Sequence, residues 1–184
     1  EFGNGTAKDP AKAAWLYRQA AEQGDRVGAC NLGYLYETGV GVQQSWEEAV
    51  RWYRQAAEQD DSRAQYHLGW CYEQGKGVEK DQTAAVAWYR RAAEREDPSS
   101  LCALGRCYET GSGVEKDERH AVEIYRQAAE MNDAEGQYRL GRCYYYGIGI
   151  SKDIHQAVQW LTKSAAQGSR QGEFFLGQCY ENGE

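Results

Sequence analysis

Between residues 62 and 96 the apolar positions form two helical patterns separated by a polar turn rich in glycine. Ala64, Leu68 and Tyr72 stand at i, i+4 and i+8, one face of a helix over Ser62–Gln74. Ala85, Trp88, Tyr89, Ala92 and Ala93 trace the face of a second helix over Gln82–Glu96. The pattern returns every 36 residues: leucines stand at 32, 68, 104, 140 and 176, with no insertion between them. Such self-similarity marks a repeat array, in which each helix pair buries its apolar stripe only against its neighbours. The expected architecture is all-α, a single repeat domain over 1–184. It has a lone second helix over 1–24, full pairs over 25–60, 61–96, 97–132 and 133–168, and a lone first helix over 169–184. Glu1-Phe2-Gly3-Asn4-Gly5 aligns with the turn Glu37-Thr38-Gly39-Val40-Gly41, so the chain reads as a fragment that opens inside a repeat.

Start and stop signals fall in register with this pattern. The column before each first helix is Asp25, Asp61, Asp97, Asp133, Ser169, and before each second helix Asp9, Ser45, Asp81, Asp117, Asp153. All ten side chains can accept a hydrogen bond from the free N–H groups of a first helical turn. Ser45 with Glu48 forms a capping-box pattern, and Pro10 and Pro98 follow cap residues, where a missing N–H costs nothing. Glycine at 3, 39, 75, 111, 147 and 183 ends each first helix. Glycine at 33, 69, 105, 141 and 177 lies inside a helix at about 1 kcal/mol each relative to alanine. Close approach of a neighbouring helix is the expected reason.

Charge and cysteine usage narrow the partners. With 28 acidic and 21 basic residues the chain carries a net charge of −7, which argues against nucleic acid, since that partner needs a basic stripe. Apolar runs are only a few residues long, so no membrane insertion is expected. Cys71, Cys107, Cys143 and Cys179 share one column, and Cys30 and Cys102 another. Equivalent positions in stacked repeats lie about 10 Å apart, beyond the ~7 Å that a disulfide spans between Cα atoms. Cys102 and Cys107 point to different sides of one helix, and no second helix carries a cysteine. The thiols are expected to be small buried groups, which favours a reducing, cytoplasmic compartment. His67, His120 and His155 fall in three columns and read as solvated, with no metal site and no cofactor expected.

The segment Ala64, Leu68-Gly69, Tyr72, Gly75-x-Gly77-Val78, Asp81, Ala85, Trp88-Tyr89, Ala92-Ala93 resembles the Sel-1-like repeat family, a relative of the tetratricopeptide repeat. The likeness covers the whole chain in register. It implies a right-handed α/α superhelix, a solenoid, whose concave face binds protein or peptide partners as an adaptor or scaffold, without enzymatic activity. If first helices line that groove, its columns are those of residues 63, 66, 70, 73 and 74, which vary between repeats while the scaffold columns stay fixed. The candidate groove residues are Tyr34, Tyr66, Trp70, Arg106, Tyr138, Arg142 and Tyr145: aromatic anchors plus a two-arginine clamp, residue types enriched at interface hot spots.

The alternative for these residues is that Arg106 pairs with Glu109 one turn on and the aromatics merely cover neighbouring turns. Tyr17-Arg18, Tyr53-Arg54, Tyr89-Arg90 and Tyr125-Arg126 read as packing followed by an exposed charge. A rival function is hydrolysis, because a cysteine-rich branch of the family is associated with β-lactam binding and hydrolysis. Against it, this chain has no Ser-x-x-Lys and lacks the paired cysteines of that branch. End-to-end self-association through uncapped repeat ends is a further expectation.

Overall fold

A computed structural model describes residues 8–182. Ten helices and no strand occur among the described residues: α1 (Pro10–Glu22), α2 (Arg26–Thr38), α3 (Trp46–Ala57), α4 (Ser62–Gln74), α5 (Gln82–Ala93), α6 (Pro98–Thr110), α7 (Glu118–Glu130), α8 (Ala134–Tyr146), α9 (Ile154–Ala166) and α10 (Arg170–Glu181). The even-numbered elements are the first helices of the repeat and the odd-numbered ones the second helices. The chain divides into two compact units, one running through Asp81 and the other starting at Gln82. In each unit, helices consecutive in sequence pack on one another.

The caps work as the sequence dictates. The Asp61 carboxylate accepts from the Ala64 N–H at 2.9 Å, Asp117 from His120 at 2.9 Å and Asp153 from Gln156 at 3.0 Å. Gly39, Gly75, Gly111 and Gly147 end their helices in the left-handed region. Gly3 and Gly183 lie outside the described residues. The capping box forms only by half. Ser45 accepts from the Glu48 N–H, but its own N–H goes to the Tyr36 carbonyl, and Glu48 pairs with Arg51 instead.

The second helix of the repeat is shorter than expected, ending at Ala93 rather than Glu96. The reason is conformational: Glu96 takes φ 56°, as do its column mates Asp60 (60°) and Asn132 (62°), while Gly24 and Gly168 occupy the same place. A left-handed residue closes the helix and redirects the chain to the next aspartate cap.

Tyr53 and Tyr125, on second helices, are fully buried alongside Leu32, Leu68 and Leu140. Their rings account for the helical glycines. A Cβ on Gly33 would lie 2.7 Å from Tyr53 Cδ1, and one on Gly105 would lie 2.5 Å from Tyr125 Cε1. Gly177 departs from its column, with no such atom within 4 Å. The second glycine of each turn has a reason beyond chain reversal. Gly41, Gly77, Gly113 and Gly149 abut the carbonyls of Pro10, Trp46, Gln82 and Glu118, the first residues of second helices one period earlier. Only a residue without Cβ and with positive φ fits there.

The tyrosines of the column 36, 72, 108 and 144 are half-buried rather than plain members of an apolar stripe. Each hydroxyl accepts from the arginine 18 residues earlier: Arg18 to Tyr36, Arg54 to Tyr72 at 3.0 Å, Arg90 to Tyr108 at 2.9 Å, and Arg126 to Tyr144 at 3.2 Å. The arginines after the second-helix tyrosines are therefore links between consecutive repeats, not idle surface charges.

Candidate functional site

In the first unit, α2 and α4 bring Tyr34, Tyr66 and Trp70 to their outward faces. Tyr34 is 51% exposed although α2 is flanked by packed helices on either side. Tyr66 is half-buried and Trp70 lies against Trp46, ring centroids 5.5 Å apart. His67, expected to be solvated, is instead packed among aromatic rings, with 27% of its side chain accessible. Its ring stacks flat on Tyr53 (4.8 Å, 7°), meets Tyr66 edge-on at 5.5 Å and has Tyr34 at 6.3 Å. Its Nδ1 lies 3.4 Å from Glu37 Oε2, which also accepts from the Tyr53 hydroxyl. Burial works to raise the Glu37 carboxyl, but the hydrogen bonds with His67 and Tyr53 outweigh it and hold the group below the ordinary carboxylate value. The result is an ionised carboxylate held between the Tyr53 hydroxyl and the His67 imidazole.

In the second unit the same column of acids behaves differently. Glu109 accepts from the Tyr125 hydroxyl at 2.8 Å and forms an ion pair with Arg142 of the next first helix. Glu109 is thus held by Arg142, one member of the expected clamp. Arg106 is half-buried on α6. Tyr138 is 9% exposed and packs with Ala157, Leu161, Cys179 and Phe175, so this expected anchor stands in the core. Arg139 spreads its guanidinium over the Tyr125 and Tyr138 rings at 5.7 and 5.8 Å and bonds Glu135 at 2.7 Å. Tyr145 is half-buried, edge-on to Tyr146 and Phe175, and its hydroxyl accepts from Asn182 at 2.9 Å.

Glu37 and the exposed Tyr146 stand in the expected groove columns of residues 73 and 74 but were not among the candidate groove residues. For Glu37 a signal existed: glutamates 37 and 109 each have a tyrosine 16 residues on, and both members change together in the pair Tyr145 and Leu161. For Tyr146 the sequence held only a lone aromatic in a column of Thr38, Gln74 and Thr110.

All six cysteines are free and buried, and burial, the leading cause, pushes the Cys30, Cys71 and Cys143 thiols up to about 12. Among the described residues no group of three or more His, Cys, Asp or Glu could hold a metal ion, and no helix is long and apolar enough to cross a membrane.

The Sel1 repeat model matches residues 1–25, 27–61, 62–97, 98–133, 134–169 and 170–184. A Sel1 repeat protein from Oxalobacter formigenes shares 38% identity and superposes with a TM-score of 0.93, over 98% of this chain and 72% of its own. A protective antigen of uropathogenic Escherichia coli with an SLR fold is also 38% identical, TM-score 0.88; the match covers 98% of this chain but 39% of that one. Cysteine rich protein B of Helicobacter pylori matches at 26% identity and a TM-score of 0.57, over 72% of this chain and 96% of its own. No curated protein sequence matches the chain. With six matches in register and two solved relatives that follow nearly its whole length, the chain belongs to the Sel1 repeat family, helical solenoids that generally mediate protein–protein interaction and generally lack enzymatic activity.

Proposed function

We propose that the chain is a non-enzymatic binding module that holds a protein or peptide segment on the outward faces of its first helices. In the first unit the face is Tyr34, Tyr66 and Trp70; in the second it is Arg106, Arg142 and Tyr145. The observation that carries this reading is the half-exposed Tyr34 ring on an internal helix, together with the partly open Tyr66 and Trp70 rings on the next first helix. Aromatic groups of this kind supply binding energy where a partner covers them. The test is selection of peptides from an unbiased display library, followed by titration of the wild type and of Tyr34→Ser/Trp70→Ser, with helicity checked by circular dichroism. The reading expects the selected peptides to bind the folded variant at least tenfold more weakly. Equal binding would place recognition elsewhere and refute it.

A further inference from the structure

Two glutamates of this column that accept from second-helix tyrosines, Glu37 and Glu109, have different cationic company. Glu109 receives the Tyr125 hydroxyl and the Arg142 guanidinium. Its equivalent, Glu37, receives the Tyr53 hydroxyl, but the residue in the place of Arg142 is Trp70. His67 Nδ1 approaches Glu37 at 3.4 Å, from the column that holds Arg139 in the second unit. Where Glu109 has the Arg142 guanidinium from the adjoining first helix, Glu37 has the His67 imidazole. Glu37 nevertheless stays ionised, held so by His67 and Tyr53 against the effect of burial.

The surroundings of Glu37 suit a planar cation. Tyr34 is half-exposed, Tyr66 and Trp70 are partly open, and the Glu37 side chain keeps 20% of its surface accessible. Guanidinium groups stack on aromatic faces and bind carboxylates through two N–H donors. The molecule itself uses this chemistry: Arg139 lies over two tyrosine rings, and Arg142 pairs with the carboxylate. The nearest basic side chain in the groove columns of α4, Arg63, is seven residues before Trp70, about two helical turns away, beside Cys30.

We propose that the α2–α4 face of the first unit binds an arginine of a partner peptide, whose guanidinium takes at Glu37 the place that Arg142 takes at Glu109. Tyr34 and Trp70 flank the arginine stem, and Glu37 accepts from its head. The assignment rests on the proposed function and names the partner's chemistry at that face.

The probe is a short acetylated, amidated peptide with a single arginine among glycine and serine, compared with the same peptide carrying citrulline, its uncharged isostere. Binding is followed by NMR through side-chain signals of Tyr34, Tyr66 and Trp70. The expected result is saturable shifts at these residues with the arginine peptide and at least tenfold weaker binding of the citrulline peptide. Glu37→Gln, which still accepts from Tyr53, is expected to erase that preference. Trp70→Arg is expected to abolish binding, because the chain then supplies its own cation to Glu37. Equal binding of the two peptides, or an unchanged preference in folded Glu37→Gln, would overturn the assignment. If the arginine is refuted while library-selected peptides still shift Tyr34 and Trp70, the binding face stands and only its ligand class falls. If neither probe shifts these rings, both fall.

Discussion

Alanine in place of glycine should have opposite signs at two positions of the same column. At an exposed helical site Gly→Ala gains about 1 kcal/mol of helix propensity. At Gly105 the new methyl would stand 2.5 Å from Tyr125 Cε1 and 2.7 Å from Cδ1. The ring cannot simply yield, since it is fully buried and its hydroxyl is bonded to Glu109. Forcing a methyl into a packed core costs about 1–3 kcal/mol, and the tethered ring puts this case near the upper end. Gly105→Ala is therefore expected to destabilise by about 2 kcal/mol after the propensity gain. At Gly177 nothing lies within 4 Å of the added carbon, so Gly177→Ala should stabilise by up to ~1 kcal/mol, less if the terminal helix frays. Urea unfolding followed at 222 nm measures both. If Gly105→Ala raises stability as Gly177→Ala does, close ring contact is not what requires glycine in this column.

Other expectations follow from the same contacts. Tyr125→Phe keeps the ring and removes only the hydroxyl bonded to Glu109, and should cost about 1–2 kcal/mol in urea unfolding, since Arg142 still holds the carboxylate. Arg54→Ala loses an exposed bond to Tyr72 and should change stability by under ~0.5 kcal/mol in the same assay. Stability should fall in alkali. Cys30, Cys71 and Cys143 have folded pKa values raised to about 12, so their contribution is complete below the unfolded value of about 8.5 and is lost as pH rises toward 12. Each thiol contributes a slope of about 1.4 kcal/mol per pH unit in that window. Thermal unfolding at pH 8, 9 and 10 in the presence of reductant tests this, and a constant Tm would contradict it.

What the sequence disclosed was whatever recurs. The 36-residue period, the aspartate caps and the glycine stops are local signals repeated in register, so the first helices could be placed to the residue at Ser62–Gln74. The second helices ran long because Glu96 carries no visible left-handed preference, although its column mates Gly24, Asn132 and Gly168 do. The site was less legible because exposure depends on the neighbour. Tyr66 and Tyr138 share a column, yet Tyr138 is covered by Phe175 and Tyr66 remains partly open. His67 looked solvated because its partners Tyr34, Glu37, Tyr53 and Tyr66 come from four different columns, and only folding brings them together.

The central claim is that partners are recognised on the first-helix faces by residues that differ from repeat to repeat. The most direct measurement is amide hydrogen exchange of the whole chain with and without a library-selected peptide. The account predicts slowed exchange in α2 and α4 around Tyr34 and Trp70, with the second helices α1 and α3 unchanged. Protection confined to the second helices or to the Gly39–Gly41 and Gly75–Gly77 turns would contradict it.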